Sequence, residues 1–343
     1  MTCIFHDHTL SPLSTQDAPS VVVIGNIDGV HRGHQALLAA AGALARARGA
    51  ALSALTFDPH PARYFAAAAP PGAEARPAPA ALYSLEDRLS LLARLGVERV
   101  LCQRFDAPFA ALSPERFVSD VLVGALRACA VVVGEDFAFG ARRAGRVEDL
   151  ARLCGALGVE ARALAQLRAE GGEVHSSTRV RALLAEGRVE EVRASLGRPY
   201  HVRGEVARGH QRGRALGFPT ANLALRGDLC PAPGVYAGWV AWGAAPAPCV
   251  VSVGENPTFR DPHLLVARQR WSVEAHALLP AGAPPLDLYG RDVALWFEAR
   301  LRDMRRFEGP EALRAQIALD CEAARALLAA LDAGAPSWPR AGS

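Results

Sequence analysis

The stretch VVVIGNIDGVHRGHQ, residues Val21 to Gln35, decides how the chain begins to fold. Val21–Ile24 is an aliphatic run with no polar face, the pattern of a strand covered on both sides in a parallel sheet. Glycines at 25, 29 and 33 then interrupt it, and an Ala/Leu-rich segment with helical spacing follows from Gln35 to Arg48. Strand, glycine-rich turn and helix open a β-α-β unit. Two histidines, His31 and His34, fall in the turn after Asp28, with no serine, cysteine or lysine nucleophile between them.

The same rhythm continues. Strands are predicted at Ala51–Phe57, Val97–Arg104, Ala130–Gly134 and Val159–Leu164, and helices at Leu85–Leu95, Ser113–Leu122 and Val147–Leu157. This is an α/β pattern, a Rossmann-like parallel sheet with helices on both faces, whose ligands bind at the carboxyl ends of the strands. Ala66–Ala80, rich in Pro, Gly and Ala, reads as a loop. A further helix is expected over Arg179–Leu196. Beyond it the pattern changes to short alternating strands between Gly and Pro: GVYAGWVAWG, CVVSVG, RWSVEAHALL and DVALWFEARL. That predicts a small antiparallel β-barrel, closed by an amphipathic helix over Pro310–Leu331. The domains are placed at residues 1–189 and 190–343.

Bulk properties agree with two folded domains. The chain has 343 residues, 50% of them apolar, and a net charge of +3. Arginines are interleaved with acidic residues, so no nucleic-acid footprint is expected. No run approaches the ~18 apolar residues that span a bilayer, and no secretory leader is visible. Seven cysteines are scattered with no C-x-x-C pair, which points away from zinc or disulfides and toward a cytoplasmic setting. Small-molecule partners are expected. The sequence leaves monomer and transient homo-oligomer open.

At the start of a helix, Asp28, His31 and His34 are placed where unpaired N–H groups and the helix dipole attract phosphate. Imidazoles there can stabilise a phosphate whose charge is moving, and they need no nucleophile if the substrate brings its own. That favours in-line nucleotidyl transfer from ATP. Polar residues at an ordinary helix start, or half of a metal site, fit the same pattern. HSSTRVR supplies Ser176, Ser177 and Thr178 before a helix and Arg179 and Arg181 in its first turn. Arginine there opposes the helix dipole unless it holds an anion such as pyrophosphate. An ordinary cap with two solvated arginines is the alternative. Asp58 and His60 follow one strand, and Asp136 and Phe137 another; Phe137 and Phe139 could wall a ring system or belong to the core.

These segments, Gly25–Gln35, Thr56–Phe65, Val133–Gly145 and Ser176–Arg181, resemble the FMN adenylyltransferase domain of prokaryotic bifunctional riboflavin kinase/FAD synthetases. The resemblance implies that Gly25, Asn26, Asp28, His31, His34, Ser177, Thr178 and Arg181 grip ATP, with FMN at Asp58, His60, Asp136 and Phe137. The chain departs from the family in carrying Ile27 where Phe is usual and His175 where a β-branched aliphatic is usual.

A second constellation lies in GHQRGRALGFPTANL, Gly209–Leu223. Its glycines and arginines suit phosphate, although it is not a Walker A loop. Pro219 biases Phe218 to an extended conformation. If the chain stays extended, Thr220 and Asn222 share a face and offer hard oxygens to Mg²⁺. A proline turn with local caps is the bland alternative. In RWSVEAHALL, alternation sets Ser272, Glu274 and His276 on one face; Glu274 could act as a general base, or be a solvated glutamate, and His276 is expected to be merely exposed. Asn256, Pro257 and Thr258 form a turn. From Tyr200 to Asp320 the chain resembles riboflavin kinase, with Met304 where that family often has Glu. This implies ATP at Gly209, Arg214, Gly217, Thr220 and Asn222, Mg²⁺ at Thr220 and Asn222, flavin at Asn256–Thr258, and Glu274 as catalytic base. The expected function is riboflavin to FMN, then FMN to FAD, both at the expense of ATP. A kinase with an inactive or differently specific first half, and a flavin-responsive binding protein without turnover, are the alternatives.

Overall fold

A computed structural model of the chain describes residues 3–7, 18–70, 78–207, 217–226, 229–243, 245–255, 271–280, 282 and 288–331. Val21–Ile24 are at most 4% exposed, so their strand is covered on both faces. This strand, β2 (Ser20–Ile24), runs parallel to β3 (Ala51–Asp58) on one side and β5 (Ala128–Gly134) on the other. β4 (Arg99–Arg104) pairs with β3, and β6 (Glu160–Leu164) with β5, again in parallel. The sixth strand, β1 (Cys3–Asp7), pairs with β4 at the edge, giving the order β1-β4-β3-β2-β5-β6. The sequence pattern does not signal β1; partnering with β4, not its own alternation, makes it a strand.

The chain builds outward from β2 through β3 to β4, then crosses to β5 and β6 on the other side. The reversal lies between β2 and β5, and the crevice outside the carboxyl ends at such a reversal is where an open α/β sheet binds ligands. Helix α1 (Arg32–Arg48) connects β2 to β3, stopping at Gly49 in the left-handed conformation. α2 (Pro61–Ala67) extends into the start of the predicted loop, with Pro61 in its first turn; residues 71–77 of that loop lie outside the described part. α3 (Leu85–Arg94) precedes β4, followed by the short α4 (Ala107–Ala110).

The helix expected over Ser113–Leu122 is one turn of α-helix, α5 (Pro114–Arg116), that passes into a π-helix over Phe117–Ala125. Ser113 caps it by accepting from the Arg116 amide. Phe117, Val118, Val121, Leu122 and Ala125 form its buried stripe. α6 (Val147–Ala156) packs beside β6.

The residues divide into two compact units, one of 1–80 and 85–175, the other of 81–84 and 176–343. In the second unit the helix predicted over Arg179–Leu196 is two helices, α7 (Ser177–Glu186) and α8 (Val189–Leu196). Gly187 breaks them at φ 74°, and a Cβ there would lie 2.9 Å from the Tyr236 hydroxyl. Both the left-handed backbone and the close approach demand glycine. Six antiparallel strands then close a barrel: β7 (Tyr200–Ala207), β8 (Ala221–Leu225), β9 (Gly234–Ala241), β10 (Ala247–Glu255), β11 (Trp271–Ala277) and β12 (Asp292–Arg302), ordered β10-β11-β8-β7-β12-β9. α9 (Pro310–Ala330) buries Cys321, Ala324 and Leu328 against Val235, Ala237, Trp239 and Trp296. A nearly buried pair ties it to the barrel, with Arg302 Nε 2.9 Å and Nη2 2.7 Å from the two carboxylate oxygens of Asp320.

Candidate active sites

In the first unit the carboxyl ends of β2, β3 and β5 present the predicted residues. The Gly25 amide donates to the Leu55 carbonyl at 3.1 Å, the last rung before the chain turns away. Three residues of the turn take positive φ: Ile27 (47°), Gly29 (85°) and Val30 (45°). β-Branched residues rarely do so, at a cost of about 1–3 kcal/mol each. The surroundings enforce it. Ile27 and Val30 are at most 1% exposed, the Val30 amide donates to Ile27, and Gln35 Nε2 holds the Val30 carbonyl at 2.8 Å. Ile27 is therefore an interior residue that fixes the turn.

Asn26 is pinned from two sides. Its carbonyl accepts from Thr56 Oγ1 at 3.0 Å and from Arg88 Nη1 at 2.8 Å, and Arg88 Nη2 also reaches the Phe57 carbonyl. Its side-chain oxygen is buried with no hydrogen-bond partner, an arrangement costly unless a ligand supplies a donor. Arg88 was not among the predicted residues. The available signal was a charged pair, Asp87 and Arg88, on the leucine-lined buried face of α3.

His31 sits at the N-cap of α1 but makes no side-chain cap, and the first turn carries no acidic residue to offset the dipole. The His31 and His34 rings stack with centroids 3.7 Å apart. Gly33 between them sits close to both: a Cβ would lie 3.1 Å from the His31 ring and 3.3 Å from the His175 carbonyl, so a larger residue would crowd them. Asp28 and His31 are buried. His175 is also buried, and burial, helped by the Arg32 charge, holds its imidazole below the usual histidine range.

The candidates on neighbouring strands have identifiable local partners. Asp58 is exposed at the end of β3, and His60 Nδ1 accepts from the Ala62 amide as the N-cap of α2. Asp136 is exposed and accepts from Gln166 Nε2 at 3.1 Å. Phe137 is half-buried and stacked on Phe139, which belongs to the core. Burial pushes the Cys102 and Cys154 thiols up to about 11, so neither is a ready nucleophile.

Ser177, Thr178 and Arg181 lie in the first turns of α7, in the second unit. Ser176 caps that helix by accepting from the Arg179 amide at 3.2 Å. The first turn carries no acidic residue.

The barrel places the second constellation by register. β8 pairs with β11 so that Asn222 lies opposite Glu274, and β10 pairs so that Ser252 lies opposite Glu274 from the other side. Opposed residues share a face of the sheet. Thr220 Oγ1 donates to Glu274 Oε2 at 3.2 Å, so a hydroxyl, an amide and a carboxylate 54 positions away converge. Val273 and Ala275 are buried on the opposite face, as alternation requires. Ser252, not singled out in the sequence, donates to the thioether of Met304 at 3.8 Å. His276 differs from its expectation: it is half-buried, with Nδ1 2.8 Å from the Pro219 carbonyl. Gly217 takes φ 86° just before this segment. Gly209, Arg214, Asn256, Pro257 and Thr258 lie outside the described residues.

Among the described residues no helix is long and apolar enough to cross a membrane, and no group of three or more His, Cys, Asp or Glu side chains could hold a metal. Compared with known proteins, residues 13–179 match the FAD synthetase family and residues 196–328 the riboflavin kinase family. A bifunctional riboflavin kinase/FMN adenylyltransferase of Escherichia coli K12 is 40% identical over 88% of this chain and 90% of its own. One from Listeria monocytogenes is 33% identical over 97% of this chain and 100% of its own. A solved structure from Streptococcus pneumoniae, described as a macrolide-efflux protein, superposes with a TM-score of 0.81 at 29% identity, covering 94% of this chain and 98% of that one.

Proposed function

The chain belongs to the bifunctional riboflavin kinase/FMN adenylyltransferase family and is an enzyme of both steps of flavin cofactor synthesis, and from that premise we propose which residues perform each step. In the kinase step the riboflavin 5′-hydroxyl attacks the γ-phosphorus of ATP. The new O–P bond forms as the bond to ADP breaks, and Glu274 takes the hydroxyl proton as general base. The observation that carries this is the bond from Thr220 to Glu274 with Asn222 in register opposite it. Thr220 and Asn222 are hard oxygen donors beside a carboxylate, a set that suits Mg²⁺ retaining most of its ligands from water and phosphate. Bound there, Mg²⁺ would neutralise charge on the triphosphate. Gly217, with Gly209 and Arg214, lines the phosphates, and Asn256, Pro257 and Thr258 the flavin.

In the adenylyltransferase step a phosphate oxygen of FMN attacks the α-phosphorus of ATP, and the bond to the leaving pyrophosphate breaks. FMN is itself the nucleophile, which accounts for two imidazoles with no nucleophilic side chain beside them. His31 and His34 donate to the α-phosphate oxygens as their charge changes. Gly25, Asn26 and Asp28 hold ATP, and the buried acceptor of Asn26 supports this. Asp58, His60, Asp136 and Phe137 hold FMN. Ser177, Thr178 and Arg181 hold the pyrophosphate, and the functional division is proposed at 189/190, near the change from the α/β to the all-β sequence pattern. We also infer a cytoplasmic setting, which the free thiols of Cys102, Cys129, Cys154, Cys230, Cys249 and Cys321 support.

Incubation of the purified protein with riboflavin, ATP and Mg²⁺, followed by chromatography, tests the reading. FAD is expected. FMN as the sole product would leave the adenylyltransferase assignment unsupported, and no product would leave a flavin binder.

A further inference from the structure

We propose that His276 is a positioning residue of the kinase site, holding the peptide that presents Thr220; this rests on the assignment of Thr220, Asn222 and Glu274 above. The β8–β11 ladder runs from Val273–Leu223 through Glu274–Asn222 to Ala275–Ala221 and stops there. Pro219 has no N–H, and its carbonyl lies just beyond the first residue of β8. The next residue of β11 is His276. Its backbone pairs away from β8, opposite Val250 of β10, while its side chain takes over on the β8 side, with Nδ1 2.8 Å from the Pro219 carbonyl.

A carbonyl only accepts, so Nδ1 carries the proton. Burial holds this imidazole below the usual histidine range, and Arg325 adds to the effect against the opposing pull of Pro219. The neutral ring therefore has one tautomer, fixed by the bond it makes. The same ring meets Phe218 edge-on, with centroids 5.4 Å apart. Two residues of one strand face thus hold three consecutive residues: His276 holds Phe218 and Pro219, and Glu274 holds Thr220. Without the imidazole, Thr220 would meet the nucleotide from a wider set of backbone conformations. The main cost falls on binding of the Mg²⁺–ATP complex, because Thr220 is the residue whose placement is loosened.

The test compares three variants of the full-length protein in steady-state FMN formation. Asn places its amide nitrogen where Nδ1 lies; Gln places its own where Nε2 lies. His276→Ala and His276→Gln are expected to raise KM for Mg²⁺–ATP about five- to tenfold, the value of one neutral hydrogen bond, with KM for riboflavin within about twofold of wild type. His276→Asn should recover most of the loss. Equal impairment of all three, a fall in kcat with KM unchanged, or unchanged kinetics in every variant would overturn the proposal. Glu274→Ala, assayed alongside, separates it from its premise. Normal FMN formation in that variant refutes the site assignment itself, whereas a dead Glu274→Ala with wild-type-like His276 variants refutes only the role of His276.

Discussion

The two cradles are built by opposite means. In the α/β unit, everything from Gly25 to His34 lies on one continuous segment, and a strained turn locked by neighbours sets its shape. In the barrel, Thr220 and Glu274 are 54 positions apart and meet because strand register makes them neighbours. The histidine turn is local, with its geometry stored in backbone conformation; the Thr220–Glu274 pair is non-local, stored in pairing. Damage should therefore stay on its own side: changes to the turn slow FAD formation, and changes across β8, β10 and β11 slow FMN formation.

The largest effect is expected from Glu274→Ala. Loss of a general base should lower kcat for FMN formation by about 10²–10⁴, with conversion of supplied FMN to FAD unchanged. Paired assays, starting from riboflavin and from FMN, check it. Next, His31→Ala should lower the FMN-to-FAD rate by about 10²–10³ through loss of an oxyanion donor, and leave FMN formation intact. A variant that lost both activities while folded would break the contrast.

Arg88→Met sharpens it on the local side. That substitution leaves the Asn26 and Phe57 carbonyls without their guanidinium donor, so unfolding should become easier by about 1–3 kcal/mol in a denaturant titration, and FAD formation should fall more than FMN formation. The smallest effect concerns pH. The folded-state pKa of His175 is depressed, so the unfolded chain binds the extra proton more readily than the native one. The contribution is present above the ordinary histidine pKa of about 6.5 and is lost as pH falls through the lower native value. Thermal melts should show stability falling on acidification in that window, and His175→Val should flatten the slope.

Much of the fold was legible because parallel strands buried on both faces leave unbroken aliphatic runs, as at Val21–Ile24 and Val131–Val133. Alternation in RWSVEAHALL likewise sorted Val273 and Ala275 from Glu274. What escaped depends on partners distant in sequence. β1 is a strand because β4 offers an edge. Gly187 breaks a helix because Tyr236 and Arg300 crowd it. His276 had no visible partner in the sequence, since the Pro219 carbonyl reaches it only through the barrel register. Arg88 was overlooked because its role is to hold backbone carbonyls of β2 and β3, groups every residue possesses.

The most direct measurement of the central claim, that each cradle performs one step on its own, is a mixing assay with Glu274→Ala and His31→Ala. Given riboflavin, ATP and Mg²⁺, each variant alone should make FAD at least about a hundredfold more slowly than wild type, while an equimolar mixture should restore it, because FMN released by one chain is adenylylated by the other. A mixture of the two folded variants that stays as slow as its components would contradict the account.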